Sequence, residues 1–177
     1  MRSFLQAVLL FVLAAATAMG QGLNARLKDM EGKRVEISDL YRARPLVVSF
    51  WATWCKPCCL ELRHFQKLYE TYADSGVGFL GVSINEAKDQ SKVRAFLAGN
   101  RYGFPTLLDP EQQAMRKFGL KDVPGSFILD TNGRVVWSHF GFKEGDEALL
   151  AEEIKKQIKR AGPDSARAEP SGEGQAE

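Results

Sequence analysis

Residues 46–59, LVVSFWATWCKPCC, run an unbroken apolar stretch directly into a proline and all three cysteines of the chain. The stretch begins after Pro45 and is rich in β-branched and aromatic residues, which reads as a central strand. Pro57 stands where the first turn of a helix tolerates proline, and CCLELRHFQKLYETYA continues with helical spacing. On a helical wheel Cys58, Glu61, Leu62, Phe65, Leu68, Tyr69 and Tyr72 share one largely apolar arc. The unit is a buried strand, a short turn and a helix, with the thiols at the junction.

The rest of the chain extends this unit. LKDMEGKRVEISDL reads as two short extended pieces about a turn at Glu31-Gly32, and VGFLGVSI as a second β-rich run. A helical segment from about Gln90 to Leu97 follows, then FPTLLDP, in which Pro105 opens an extended segment, then a helical EQQAMRKFG. SFILD and VVWSHFG form a β-hairpin about Asn132-Gly133, and Asp146 to Arg160 is a last amphipathic helix. This order predicts an α/β domain with a mixed central sheet flanked by helices.

Composition sets the limits of that domain. Residues 1–20 carry Arg2, an apolar run and small residues near Gly20, the layout of a secretory signal peptide. The run is shorter than the ~20 residues of a membrane span, so the segment is either removed on export or retained as an anchor. Residues 162–177 hold no aromatic, Leu, Ile or Val and read as a disordered tail. Residues 21–161 suit one domain with one core. A net charge of +2, with acids and bases interspersed, argues against nucleic acid or an anionic membrane surface as a partner.

A disulfide needs Cα atoms roughly 4.4 to 6.8 Å apart. Cys55 and Cys58, one turn apart at a helix start, meet that requirement, whereas the adjacent Cys58 and Cys59, at about 3.8 Å, do not. A separation of four residues also lets Cys55 reach Cys59. A bridge across so short a loop restricts the unfolded chain little, so reversible making and breaking explains it better than stability does. Unpaired N–H groups and the helix dipole favour a thiolate at the helix start, which makes Cys55 the nucleophile. Lys56 adds positive charge there, Trp54 an apolar shield, and Cys58 is the buried resolving thiol. Such a pair needs no organic cofactor. Cys59 falls on the flank of the helix, as a small residue against a loop, an accessory thiol, or a partner of Cys58 for a soft ion such as Cu(I). Two other readings of Cys-x-x-Cys are a static disulfide and half of a zinc site. The second lacks ligands, since His64 and His139 are far apart in sequence and no metal site is predicted.

WCKPC after a hydrophobic strand resembles the active site of the thioredoxin superfamily. The wider pattern, VVSFWATWCKPC with LKDMEGKRVEISDL before it and FPTLLDP after it, resembles the exported reductases of the TlpA/ResA type over about Leu27 to Arg160. The resemblance implies a thioredoxin-like fold with an N-terminal β-hairpin extension, and a Cys55–Cys58 pair cycling between dithiol and disulfide. It implies a monomer of the bacterial periplasm or cell envelope, fed by an unidentified electron-donor protein with a membrane-bound donor as one candidate. Its substrates would be protein disulfides such as those of apocytochrome c or copper-site cysteines. It further implies that Pro124 in KDVPGSF is cis and faces the disulfide, with Val123 at the substrate edge beside Trp54, Lys56 and Pro57. Gly125-Ser126 stands where that family often has threonine after the proline. An acid three residues after the second cysteine belongs to the pattern and matches Glu61. Buried, Glu61 would have a raised pKa suited to exchanging protons with Cys58; at the edge of the arc it would reach water instead. His64 lies off the arc and reads as a solvated helix residue. Lys56 and the helix favour the dithiol and an ionised Glu61 opposes it, so only the resemblance points to a reductant. A copper-handling chaperone using the clustered cysteines is the competing function.

Overall fold

The computed structural model describes residues 22–161. The signal peptide read in residues 1–20 and the tail read in 162–177 lie outside the described residues. The apolar run forms strand β3 (Leu46–Trp51), buried along its whole length. Helix α2 (Lys56–Tyr72) leads from it to β4 (Gly78–Ser83), and α3 (Gln90–Asn100), after a short 3-10 turn at Ala87–Asp89, leads to β5 (Thr106–Leu108). Each helical crossover returns the chain in the same direction, so β3, β4 and β5 are parallel. Helix α4 (Gln113–Lys117) precedes β6 (Gly125–Leu129), which pairs antiparallel with β3 and, through a hairpin, with β7 (Val135–Phe140).

At the other edge β1 (Arg26–Asp29) pairs antiparallel with both β5 and β2 (Arg34–Glu36), giving the order β2-β1-β5-β4-β3-β6-β7. The N-terminal hairpin is present, and Gly32 supplies its left-handed residue at φ +87°. Helix α1 (Ile37–Ala43) was not legible as a helix; its seven residues are too few to show a period, and it turns Ile37, Ser38 and Tyr41 inward. Helix α3 outruns the expected Leu97 and stops at Arg101, whose φ of 57° breaks it. Helix α4 is shorter than the helical pattern predicts, because Gln112 is itself left-handed and the buried Asp109 carboxylate accepts the Gln113 and Met115 N–H groups.

Helix α2 lies on the sheet through the predicted arc: Cys58, Glu61, Leu62 and Phe65 are buried, and Leu68, Tyr69 and Tyr72 are half-buried. The Phe65 ring meets Phe79 and Phe104 edge-on, with centroids 5.4 and 5.0 Å apart. Helix α5 (Asp146–Ala161) contacts α2 and buries Leu150 and Ile154. Among the described residues no helix is long and apolar enough to cross a membrane. Truncating Phe65 removes the ring that seats α2, so Phe65→Ala is expected to lower the unfolding free energy of the oxidised protein by about 3–5 kcal/mol in a denaturant titration.

Candidate active site

Cys55 caps the start of α2, and its Sγ accepts the Cys58 N–H at 3.2 Å. Its sulfur is bonded to Cys58 at 2.03 Å with the Cα atoms 5.2 Å apart, so the pair is Cys55–Cys58 and Cys59 is free. Cys58 is fully buried and Cys55 nearly so, while Lys56, Pro57 and Trp54 are exposed, Trp54 at 62%. Cys59 is half-buried on the helix flank with its Sγ 4.0 Å from the Thr53 carbonyl. The turn ahead of Cys55 is fixed from β4. Thr53 N–H donates to Asn85 Oδ1 at 3.0 Å, Asn85 Nδ2 donates to Thr53 Oγ1 at 2.7 Å, and Ser83 Oγ donates to Asn85 Oδ1 at 3.1 Å.

The loop before β6 meets this junction. The Val123–Pro124 peptide bond is cis, and the Val123 carbonyl oxygen is 3.6 Å from Cys55 Sγ. Pro124, next to Val123 and immediately before β6, thus stands beside the disulfide end of α2. At Gly125, where the resembled family often has threonine, a Cβ would lie 2.5 Å from Leu120 Cδ1, so a larger residue there would need the Leu120 side chain to move. Beside this loop lies an open groove of about 470 Å³ lined by Leu120, Val123, Pro124, Phe140 and Gly141, with Phe140 largely exposed.

Glu61 is buried beneath α2, so of the two placements the sequence left open the interior one holds. Ser49 on β3 and Ser126 on β6 are cross-strand partners and stand on one face of the sheet. Both donate to the carboxylate, Ser126 Oγ to Oε1 at 2.7 Å and Ser49 Oγ to Oε2 at 3.1 Å. Burial pushes the Glu61 pKa up from 4.5 to about 7, against the two serine hydrogen bonds that favour the anion. At neutral pH the group is therefore balanced between acid and base, one helical turn from Cys58. His64 is not the solvated residue its position off the arc predicted: it is half-buried against Phe142, with Nδ1 3.7 Å from Glu147 Oε1.

The sequence reading named Cys55, Cys58, Glu61 and Pro124, which the structure places around the start of α2 and the loop before β6, and it named neither Asn85 nor Ser49 nor a partner for Ser126. A hydroxyl inside the apolar LVVSFW was the one available sign of a buried polar partner. A carboxyl whose pKa is higher folded than unfolded keeps its proton in the native state, so stability falls as pH rises from 4.5 toward about 7. Relative to oxidised wild type, Glu61→Gln should gain roughly 3 kcal/mol between about pH 4 and about pH 8, read from paired urea titrations.

Residues 20–138 match the AhpC/TSA family. The chain is 33% identical over 139 residues to the thiol-disulfide oxidoreductase ResA of Geobacillus thermodenitrificans, covering 77% of this chain and 74% of that protein. It is 30% identical over 128 residues to ResA of Bacillus subtilis, covering 71% and 70%. Among solved structures, StoA of Bacillus subtilis superposes with a TM-score of 0.62 at 27% identity, over 73% of this chain and 94% of that one. A thioredoxin-like protein of Porphyromonas gingivalis superposes with a TM-score of 0.67 at 36% identity, over 80% and 94%. The chain thus has a thioredoxin-like fold and belongs to the AhpC/TSA family as a thiol–disulfide oxidoreductase.

Proposed function

We propose that this oxidoreductase is exported to the bacterial periplasm or cell envelope and works there as a monomeric reductant of protein disulfides, such as those of apocytochrome c or of copper-site cysteines. The observation that carries the reading is the seat of Cys55. Its sulfur accepts an N–H at the α2 N-terminus and lies 3.6 Å from the Val123 carbonyl, next to the cis proline, where the backbone of an extended substrate can pair. Trp54, Lys56, Pro57 and Val123 border that position and are the proposed substrate contacts. The leader-like residues 1–20 support export, whether the segment is removed or kept as a tether.

In the reduced protein the Cys55 thiolate attacks a substrate disulfide, forming a mixed disulfide and releasing one substrate thiol. Cys58 then attacks Cys55 Sγ, which frees the second substrate thiol and leaves the Cys55–Cys58 disulfide. Glu61 takes the proton of Cys58 as that sulfur becomes nucleophilic. A donor protein carrying a dithiol, with a membrane-bound one as a candidate, returns the pair to its reduced state, so the disulfide itself serves in place of an organic cofactor. The copper-handling alternative draws less support. Cys59 faces the Thr53 carbonyl on the helix flank while Cys58 is fully buried and tied to Cys55.

A redox titration of the mature chain, followed by Trp54 fluorescence and thiol alkylation, tests this assignment. The expected result is a two-electron transition near or below about −270 mV that Cys58→Ser abolishes and Cys59→Ser leaves in place. A potential near about −120 mV would make the protein an oxidant and overturn the proposed direction.

A further inference from the structure

The row of cross-strand partners that begins at Ser49 does not stop at Ser126. Ser126 on β6 is itself paired with His139 on β7, so Ser49, Ser126 and His139 stand side by side on one face of the sheet. Two members of the row donate to Glu61. At its outer end His139 Nε2 lies 3.0 Å from Asp146 Oδ2, the first residue of α5, which also accepts the Lys143 N–H at 3.0 Å. The row therefore leads from a buried carboxylate to an imidazole whose side chain is 27% exposed. A cavity of about 10 Å³, at the lower limit for one water molecule, adjoins it and is lined by Glu61, Ser126, His139 and Asp146 among others.

The charged and titratable groups around Glu61 come from every element packed there. They are Cys58 and His64 on α2, His139 on β7, Lys143 in the following loop, and Asp146 and Glu147 at the start of α5; β3 and β6 contribute only serines. The thiol steps use neither His139 nor Asp146. We propose that His139, held by Asp146, is a positioning residue for Glu61: it sets the charge of the buried carboxylate and links it, past Ser126 and the small cavity, to solvent at the β7 edge.

The inference rests on Glu61 being the proton partner of Cys58. When Cys58 attacks the mixed disulfide, the Cys55–Cys58 bond forms and the bond from Cys55 to the substrate sulfur breaks. The electron pair leaves on the substrate sulfur, which takes a proton from solvent, and the Cys58 proton goes to Glu61. Glu61 holds that proton until the donor's attack expels Cys58 as a thiolate that takes it back, or releases it along the row to the imidazole and from there to water, which lets the two half-reactions run independently. An imidazole can take up a proton on one ring nitrogen and give one up from the other, which suits it to pass this proton on. A charged His139 favours the Glu61 anion and Asp146 opposes it, so the pair acts on Glu61 with opposite signs.

Titrating the Glu61 carboxyl in the full chain by isotope-edited infrared spectroscopy, with Glu61→Gln identifying the band, tests the proposal beside single-turnover resolution of a mixed disulfide trapped on Cys55. In His139→Gln the Glu61 midpoint should rise by about one pH unit, and resolution at neutral pH should slow roughly tenfold or more. Added imidazole should restore the rate in His139→Gly, and His139→Lys, which keeps a cation, should return the midpoint toward wild type. A folded His139→Gln with an unchanged midpoint or an unchanged rate overturns the proposal. Should the His139 variants fail to fold, the His139 titration followed by NMR in wild type and Glu61→Gln decides: identical curves overturn it, and a shifted curve upholds it. Failure of the underlying role of Glu61 is recognised separately, since Glu61→Gln would then resolve the mixed disulfide at the wild-type rate.

Discussion

The packing of α2 on the central strands governs the rest of the molecule. Cys58, Glu61, Leu62 and Phe65 turn one face of the helix into the interior, and the Phe65 ring is held edge-on between Phe79 and Phe104. Because those contacts fix the helix axis, the free N–H groups of its first turn point at Cys55, and the nucleophile gains its electrostatic setting from backbone geometry. The same packing carries Glu61 out of water. Apolar burial on this face stabilises the fold, while an ionised Glu61 works against it, and the two serines only partly offset the loss of hydration.

The two halves of the site arrive from separate crossovers, and buried polar side chains hold each in place. Asn85 ties the Ala52–Trp54 turn to the end of β4, and Asp109 ties the end of β5 to the start of α4, from which the chain runs through Leu120 to Val123 and Pro124. Turns of this kind have no ladder to satisfy their backbone, so a buried Asn or Asp does so instead. The 3.6 Å approach of Cys55 Sγ to the Val123 carbonyl rests on these two anchors as much as on the apolar core.

Much of this was legible in the chain. The run from Leu46 to Trp51, the wheel from Cys58 to Tyr72 and the Asn132-Gly133 turn depend on local pattern, and local pattern is what a sequence displays. The chemistry at Cys55 and Cys58 was legible because spacing and helix position together limit which thiols can pair. Helix α1 escaped for lack of length, and His64 because its wheel position could not show that Phe142 and Glu147 come to meet it from the far end of the chain. The hydroxyls around Glu61 escaped for a related reason. Ser49 and Ser126 are 77 positions apart in the chain and become neighbours only through the β3–β6 register, which no short-range signal encodes.

That register is itself constrained by the buried acid. Side chains alternate along a strand, so a slip of β6 by one residue would turn Ser126 to the opposite face and bring an apolar neighbour beneath Glu61. The carboxyl would then be enclosed with one donor lost, and Phe127 would leave the rings of Phe50, Phe118 and Phe140 that it meets edge-on. The central strands are buried on both faces, so these polar contacts stand out on a largely apolar surface. The Ser49–Glu61–Ser126 contact acts as a key cut into that surface, selecting a single alignment of β3 with β6 and, through it, the one placement of Pro124 that meets the disulfide.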